Sequence, residues 1–386
     1  MLENRIRGKL DYQKKSGLYR NPFAIDSREG KYIIVNGKKK LNFGSNDYLG
    51  LTASNLFRQK VALNFQKWGP SSSSSRLVTA NYTTITEAEN AFSEYFGYES
   101  CLFFPSGYQA NVGLLSTLFE KGDIVFFDKH IHASSLKGML LSNARLKGFR
   151  HNTITHLKRR LEKSQAMDQS QKFQKKINAV LTESLFSMDG DCLHVNSLVK
   201  LRSQFDFFCI IDEAHSFGVL GDKGRGIARP AADIAVGTFG KALGLFGAFI
   251  LMPIWLREYL INFSSPLIYT TALPEAHAVS AMDLLTIVFN SDDKREKLSQ
   301  VSQWMKKGLL DEGFCVKGDA HIIAIEIGDE IQTLRFSQEL FDMGFIAFPA
   351  RFPTVPLKKA MIRISMNAYH DKNDVNAFIQ AIKKCS

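Results

Sequence analysis

One lysine, Lys241, sits in the stretch "VGTFGKALGLFGAFI", Val236 to Ile250, among glycines and apolar residues, in a chain that carries 49 Lys and Arg. A lysine in a dry, glycine-rich turn loses its proton more readily than one on a solvated face, and can act as an amine nucleophile that forms a Schiff base with a carbonyl. The plain alternative is a strand-end lysine that snorkels to solvent. Its companions decide between the two. Asp212 follows the apolar run "FFCII", where a carboxylate is costly unless it is paired. The protonated pyridine nitrogen of an aldehyde cofactor would be such a partner, and capping of the next turn is the bland reading. His215, three residues on, could lie near a phenolic oxygen of that cofactor, and His132 in "HIHASS" offers a planar face for stacking. "SGY" after the run "CLFF" brings Gly107 and Tyr108 to a helix start, where backbone N–H groups suit a phosphate dianion, and Thr238 can add a hydroxyl. Each feature alone is common. Five of them at successive strand ends are not.

The elements that must position these residues are short apolar runs alternating with helical patterns from about residue 51 to 275: "SCLFFPSG", "IVFFDK", "INAVLTES", "FFCIIDEAH", "IAVGTFG" and "GAFILM". Continuous apolar strands separated by helices predict an α/β fold with a mainly parallel central sheet and helices on both faces. In such sheets ligands gather beyond the carboxyl ends of the strands, which is where the polar clusters fall. Ahead of this region lie a charged amphipathic helix and a hairpin, "KYIIVNGKKKLNF", with "NG" as its turn. Behind it come a long helical pattern, "AHIIAIEIGD", a helix around "QTLRFSQELFDMG", and "AMIRISMNAY". The expected organisation is an N-terminal helix and hairpin segment at 1–50, a large cofactor-binding domain at 51–278, and a smaller C-terminal α/β domain at 279–386.

The 386 residues, 45% hydrophobic, suffice for a sizeable core. The longest apolar runs fall well short of the roughly 20 residues of a membrane span, and "MLENRIRGKLDYQKK" has no apolar leader, so a soluble cytoplasmic protein with no membrane span is expected. The five cysteines show no paired spacing and read as free, buried thiols, with no metal site. The formal charge of +11 suits polyanionic small molecules such as coenzyme A. No aromatic-interleaved basic strand or helix-turn-helix stands out, so no nucleic acid is expected as a partner. Much of the charge comes from stretches such as "GKKK" and "LKRRLEKSQAMDQSQKFQKK", which read as solvated helix faces and loops.

The clusters "SNDYLGL", "FPSGYQAN", "FSMDGD", "DEAHSFGVLGDKGRG", "GTFGKALG", "IYTTALPEA" and "RFPTVP" together resemble those of the α-oxoamine synthases, fold-type I enzymes dependent on pyridoxal 5'-phosphate, over about residues 15 to 370. The resemblance implies that Lys241 carries the cofactor and serves as catalytic base, that Asp212 partners the pyridine nitrogen, and that His132 stacks on the ring. It puts Ser187 and His215 beside the ring hydroxyl, and Gly107, Tyr108 and Thr238 near the phosphate. Thr271 would reach the phosphate of a neighbouring subunit, which implies a homodimer with shared active sites. Asn46 and Arg363 match positions that hold the amino-acid carboxylate, and Thr354 lies in the substrate loop.

Members of this family join an amino acid to an acyl thioester and lose carbon dioxide. "GLYR" at 17–20, "SRLV" at 75–78 and "PTVP" at 353–356 look most like the branch that joins L-alanine to a pimeloyl thioester, carried by coenzyme A or an acyl carrier protein, in biotin biosynthesis. In that branch Arg20 would contact the acyl substrate. The chain departs from the pattern in three places. "GPSSSSSRLVTAN" replaces a glycine-rich loop, Ile85 stands where a histidine is usual, and "CLHVNSL" follows "SMDGD". These departures bear on the acyl group, and the alternative is a sister α-oxoamine synthase using glycine or another amino acid with a different acyl group. A non-catalytic scaffold would have no need of Lys241.

Overall fold

The computed structural model, which describes residues 1–168 and 176–385, turns the apolar runs into strands. In chain order these are β1 (Ser27–Glu29), β2 (Tyr32–Val35), β3 (Lys38–Asn42), β4 (Ser100–Phe104), β5 (Ile124–Asp128), β6 (Arg145–Phe149), β7 (Asn178–Glu183) and β8 (Phe208–Asp212). β9 (Ile234–Thr238), β10 (Ala248–Met252), β11 (Val316–Lys317), β12 (Ile322–Gly328), β13 (Phe345–Ile346), β14 (Phe348–Ala350) and β15 (Ala360–Ser365) follow. The helices that matter below are α1 (Leu2–Lys15), α2 (Asn55–Trp68), α3 (Thr83–Phe96), α4 (Gly107–Leu118), α5 (Ala133–Leu141), α6 (Ile154–Asp168) and α7 (Val195–Arg202). The chain divides into two units, one of Met1–Ala53, Ser187–Cys192 and Asp293–Ser386, the other of Ser54–Phe186 and Leu193–Asp292.

The larger unit is built on a seven-stranded sheet of order β4-β10-β9-β8-β7-β5-β6. Side chains alternate between its faces. Val125, Leu181 and Ile210 pack with Ala110 and Leu114 of α4, whereas Phe126, Val180 and Ile211 pack with Leu157 of α6 and Leu198 of α7. Glu183 and Asp212, two residues beyond Leu181 and Ile210, therefore belong to the α4 face, and they are direct register neighbours at the carboxyl ends of β7 and β8.

The sheet is mainly parallel, with β10 reversed between β4 and β9. The connection from β9 to β10 is too short for a parallel crossover, which needs a dozen residues or more, so the chain must turn back. Phe239 N–H donates to Gly247 O and Leu245 N–H to Phe239 O, each at 2.9 Å, closing this turn, and it is the turn that carries Lys241. The edge strand β6, "RLKGF", had no apolar run to announce it. The last part of the basic stretch after α6, residues 169–175, lies outside the described residues.

The smaller unit begins with α1, which buries none of its side chains. The β2–β3 hairpin turns at Asn36 and Gly37, with φ of 50° and 70°, the left-handed pair that a two-residue turn of matching twist requires. β3 then pairs in parallel with β13. A second sheet, β11-β12-β15-β14, is antiparallel and carries Arg363 on its inner strand β15. Among the free cysteines Cys101 and Cys209 are buried as expected, but Cys315 is exposed, because it lies in the turn between a helix end and β11 rather than on a core face.

Candidate active site

In the larger unit the residues singled out from the sequence converge on the α4 face of the sheet. Lys241, half-buried, places Nζ 2.8 Å from Nε2 of the buried His215. Asp212 is 7% exposed, and its bonded donors are neutral: Asn111 Nδ2 donates to Oδ2 at 2.9 Å, and the Ala214 N–H to Oδ1 at 2.9 Å. Asn111 lies one turn into α4, and its amide also donates to Ser134 Oγ at 3.0 Å. Ser134 Oγ in turn lies 2.7 Å from His132 Nδ1. A polar chain thus runs from the carboxylate of Asp212 through Asn111 and Ser134 to the imidazole of His132. It depends on a close crossing of α4 and α5: a Cβ on Gly138 would stand 2.7 Å from the Asn111 carbonyl oxygen, so only glycine fits there.

His132 is also the N-cap of α5. Its Nδ1 accepts from the Ser134 N–H at 3.2 Å, which leaves the ring proton on Nε2. Desolvation lowers its pKa, with the Lys241 charge acting in the same direction and Asp212 against it. Its own N–H donates to Glu183, a carboxyl group 3% exposed. Burial, with the neighbouring Asp212 charge second, pushes Glu183 up to about 8, so near neutrality it holds a proton.

Gly107 opens α4, with Thr238 at its back: a Cβ built on Gly107 would lie 3.9 Å from the Thr238 Cβ. The Thr238 hydroxyl donates to Gly247 O at 3.0 Å and accepts from the Gly240 N–H at 3.1 Å. Tyr108 is exposed, and so is Thr271, whose neighbour Ala272 is tied by its N–H to Ser74 O at 2.9 Å. The serine-rich loop therefore packs on the "TTAL" segment, and Ser72 Oγ donates to Ala272 O at 2.8 Å.

In the smaller unit a second group forms around Arg363, which is 4% exposed. Its guanidinium donates to the Ser187 carbonyl, to Ser365 Oγ at 2.6 Å, to Asn46 Oδ1 at 3.2 Å and to Tyr48 Oη at 3.3 Å. All four acceptors are neutral. Burial pushes the Tyr48 phenol up to about 12, with the Arg363 charge opposing. Arg20 is exposed and stands near Arg351, whose guanidinium donates to the Gly17 carbonyl and keeps a buried Nε with no partner. Burial and then the Arg20 charge lower the pKa of Arg351. Thr354 is exposed, with its N–H donating to Arg351 O at 2.9 Å.

A buried carboxylate held by neutral donors, a lysine at a turn and a helix start together fit pyridoxal 5'-phosphate, since the charge of Asp212 asks for a cation that its bonded neighbours do not supply. The comparisons agree. The sequence model of aminotransferase class I and II matches residues 38–382. The 8-amino-7-oxononanoate synthase of Thermoanaerobacter pseudethanolicus (strain ATCC 33223 / 39E) is 33% identical over 385 residues, covering 98% of this chain and 96% of that protein. A serine palmitoyltransferase from S. paucimobilis, solved with PLP and myriocin bound, superposes with a TM-score of 0.89 at 26% identity, over 98% of this chain and 96% of that one. The 8-amino-7-oxononanoate synthase of Francisella tularensis superposes with a TM-score of 0.75 at 29% identity, over 89% and 97%. The chain belongs to the α-oxoamine synthases within aminotransferase class I and II. It is a PLP-dependent enzyme of the acyltransferase type, similar to 8-amino-7-oxononanoate synthase, with the fold-type I architecture.

Four residues of these groups carried no signal strong enough to single them out in the sequence: Asn111, Ser134, Glu183 and Arg351. Each is an ordinary helix, strand or loop residue until the fold brings it beside Asp212, His132 or Arg20. The signal that could have found Glu183 is its place at the end of an apolar strand, the same one that marked Asp212.

Proposed function

We propose that the protein condenses L-alanine with a pimeloyl thioester to give 8-amino-7-oxononanoate, carbon dioxide and the free thiol, as a cytoplasmic homodimer serving biotin biosynthesis. The observation that carries the choice of acyl group is the Arg20–Arg351 pair: two guanidiniums close enough to repel, one with a buried N–H unmet, suit a carboxylate at the far end of an acyl chain.

In this reading Asp212, held by Asn111 and Ala214, keeps a proton on the pyridine nitrogen. Bound there, pyridoxal 5'-phosphate supplies the electron sink for a carbanion next to the amino nitrogen. Lys241 Nζ anchors the cofactor and removes the proton from alanine Cα, with His215 at 2.8 Å to orient the amine. His132, held in place through Ser134 and Glu183, would supply the stacking face for the ring. Ser187 and His215 serve the ring hydroxyl. Gly107, Tyr108 and Thr238 serve the phosphate, with Thr271 given to that of a second copy. Arg363 and Asn46 receive the alanine carboxylate, and Thr354 belongs to the loop over the substrate. A bond forms between alanine Cα and the thioester carbonyl carbon, the thiolate leaves and takes up a proton, and the carboxylate departs as carbon dioxide with a proton replacing it.

A second reading is a sister enzyme with an uncharged acyl group. It is favoured by Ile85, which stands where a histidine is usual and, with Phe103, Pro105, Leu267 and Leu273, gives an apolar lining to a small pocket of about 10 Å³ beside Arg76. One experiment separates the two. Purified enzyme is assayed for thiol release with alanine, glycine or serine against pimeloyl and uncharged acyl thioesters of equal length. Arg20→Ala should weaken pimeloyl use over the uncharged chain by roughly 1.5–3 kcal/mol, the worth of a charged hydrogen bond. An equal loss on both chains, or a wild-type preference for the uncharged one, moves the protein to the sister reading.

A further inference from the structure

Between Lys129 and Lys163 the chain carries nine Lys and Arg against one acidic residue, Glu162. The fold of the larger unit gathers several of them. Lys129 follows β5 and its N–H donates to Phe149 O at 3.3 Å, while Arg150 follows β6 and its N–H donates to His156 Nδ1 at 2.8 Å, near the start of α6. Slight desolvation and the charges of Arg160, Arg150, Arg159 and Lys129 together lower His156, so these four cations crowd one imidazole. Among the described residues none of the four pairs with a carboxylate. The cationic face continues along α6, where Arg159 and Lys163 stand one turn apart and exposed, opposite the buried Leu157, Leu161 and Ser164. Four unpaired charges gathered on one face raise the local potential well beyond what scattered surface charge does. The position is also particular: Lys129 stands three residues before His132, on the loop that leads into α5.

We propose that this face, formed by the loops after β5 and β6 and the exposed side of α6, docks an acidic acyl carrier protein whose thioester-bearing arm delivers the acyl group. The proposal rests on the reading of the enzyme as one that consumes an acyl thioester, and it chooses the carrier. The exposed side of one helix about 22 Å long, with the two loops beside it, presents a row of charges rather than a pocket for a nucleotide. It does offer an acidic protein surface a row of complementary charges that speeds encounter and fixes orientation.

The test uses the PLP-loaded enzyme and a fluorescently labelled holo-acyl carrier protein bearing no acyl group, so that binding is read by anisotropy without turnover. Wild-type enzyme should bind it, more weakly as salt rises. The charge reversal Lys129→Glu/Arg159→Glu should weaken binding at least about tenfold. The same reversal on α1, Arg5→Glu/Lys9→Glu, should leave it within about twofold of wild type. In turnover the first variant should raise KM for the acyl carrier thioester by a similar factor, with kcat kept and KM for the coenzyme A thioester unmoved. Equal losses with both thioesters would give the patch to coenzyme A phosphates and overturn the proposal. So would unchanged carrier binding in the variant, or a wild type that binds an oligonucleotide but no carrier. Carrier binding lost in the variant sustains the docking surface even if alanine and pimeloyl groups prove to be the wrong substrates.

Discussion

Two carboxylates buried in the same unit are treated in opposite ways. Glu89 of α3, 0% exposed, accepts from Arg76 on both oxygens and from Arg257 on Oε2 at 2.9 Å, with the Phe103 N–H adding a fourth bond, to Oε1, at 2.8 Å. Asp212, 7% exposed, is met by an amide and a backbone N–H, and its register neighbour on β7 is a second acid, Glu183. A carboxylate whose cations are built in braces the fold, because removing either side strands a charge in a dry place. A carboxylate held only by neutral donors is positioned and left to be neutralised from outside. Arg363 repeats this second arrangement with the sign reversed: four neutral acceptors, and a charge that suits an incoming carboxylate.

The largest effect that could break this contrast belongs to Asp212→Asn. The amide keeps the shape and loses the charge, so turnover should fall at least about a thousandfold, or ~4 kcal/mol of barrier. The urea midpoint of the cofactor-free protein should stay level or rise. A near-normal rate would end the proposed role, and a collapsed fold would make Asp212 a brace like Glu89.

Glu89→Gln should do the reverse. Two guanidiniums lose their shared partner, and stability should drop by about 3 kcal/mol, seen as a lower urea midpoint, while the rate of the folded fraction is kept. Lost activity at unchanged stability would mean that the paired carboxylate also serves the chemistry.

The third effect, read as a slope with pH rather than as a loss at one pH, concerns Glu183→Gln. The unfolded chain gives up this proton near the ordinary glutamate value of 4.5, whereas the folded protein holds it to about 8. Within that window the folded state binds more protons, so stability falls as pH rises. Burial raises the Glu183 pKa most, the Asp212 and Asp128 charges add to that, and Lys241 and the His132 N–H lower it. The glutamine variant should therefore lose less stability than wild type between about pH 5 and pH 8. Parallel profiles would refute the protonated state assigned to Glu183.

The sequence disclosed the parts of the molecule where one physical demand acts alone. Runs such as "FFCII" and "NAVL" are apolar on both sides because both faces of β7 and β8 are covered, and they were readable as inner strands of a parallel sheet. "NG" was readable because few other pairs accept two left-handed residues. The edge strand β6 was not readable, since its partly solvated "RLKGF" needs no apolar run. Nor was the reversal of β10, which follows from the length of a turn rather than from any strand residue. In the site, Lys241, Asp212, His215 and His132 stood out through motif and resemblance. Asn111, Ser134 and Glu183 each come from a different element and acquire meaning only through distances that no local pattern encodes.

The pairing of β3 with β13 has a consequence for how the chain is made. Leu41 and Phe345 are partners although roughly 300 residues separate them, and the Leu41 N–H donates to Gly344 O at 2.9 Å. As the chain leaves the ribosome, the β1–β3 ribbon emerges long before β13 and waits with an unpaired edge. The seven strands of the larger unit, which lie between residues 100 and 252, can meet well before that partner exists. The smaller unit is then completed last, so a ribosome stalled near residue 330, with the larger unit clear of it and β13 not yet made, should expose a protease-resistant larger unit and a cleavable N-terminal segment. A chaperone that shields a strand edge should matter most in that interval.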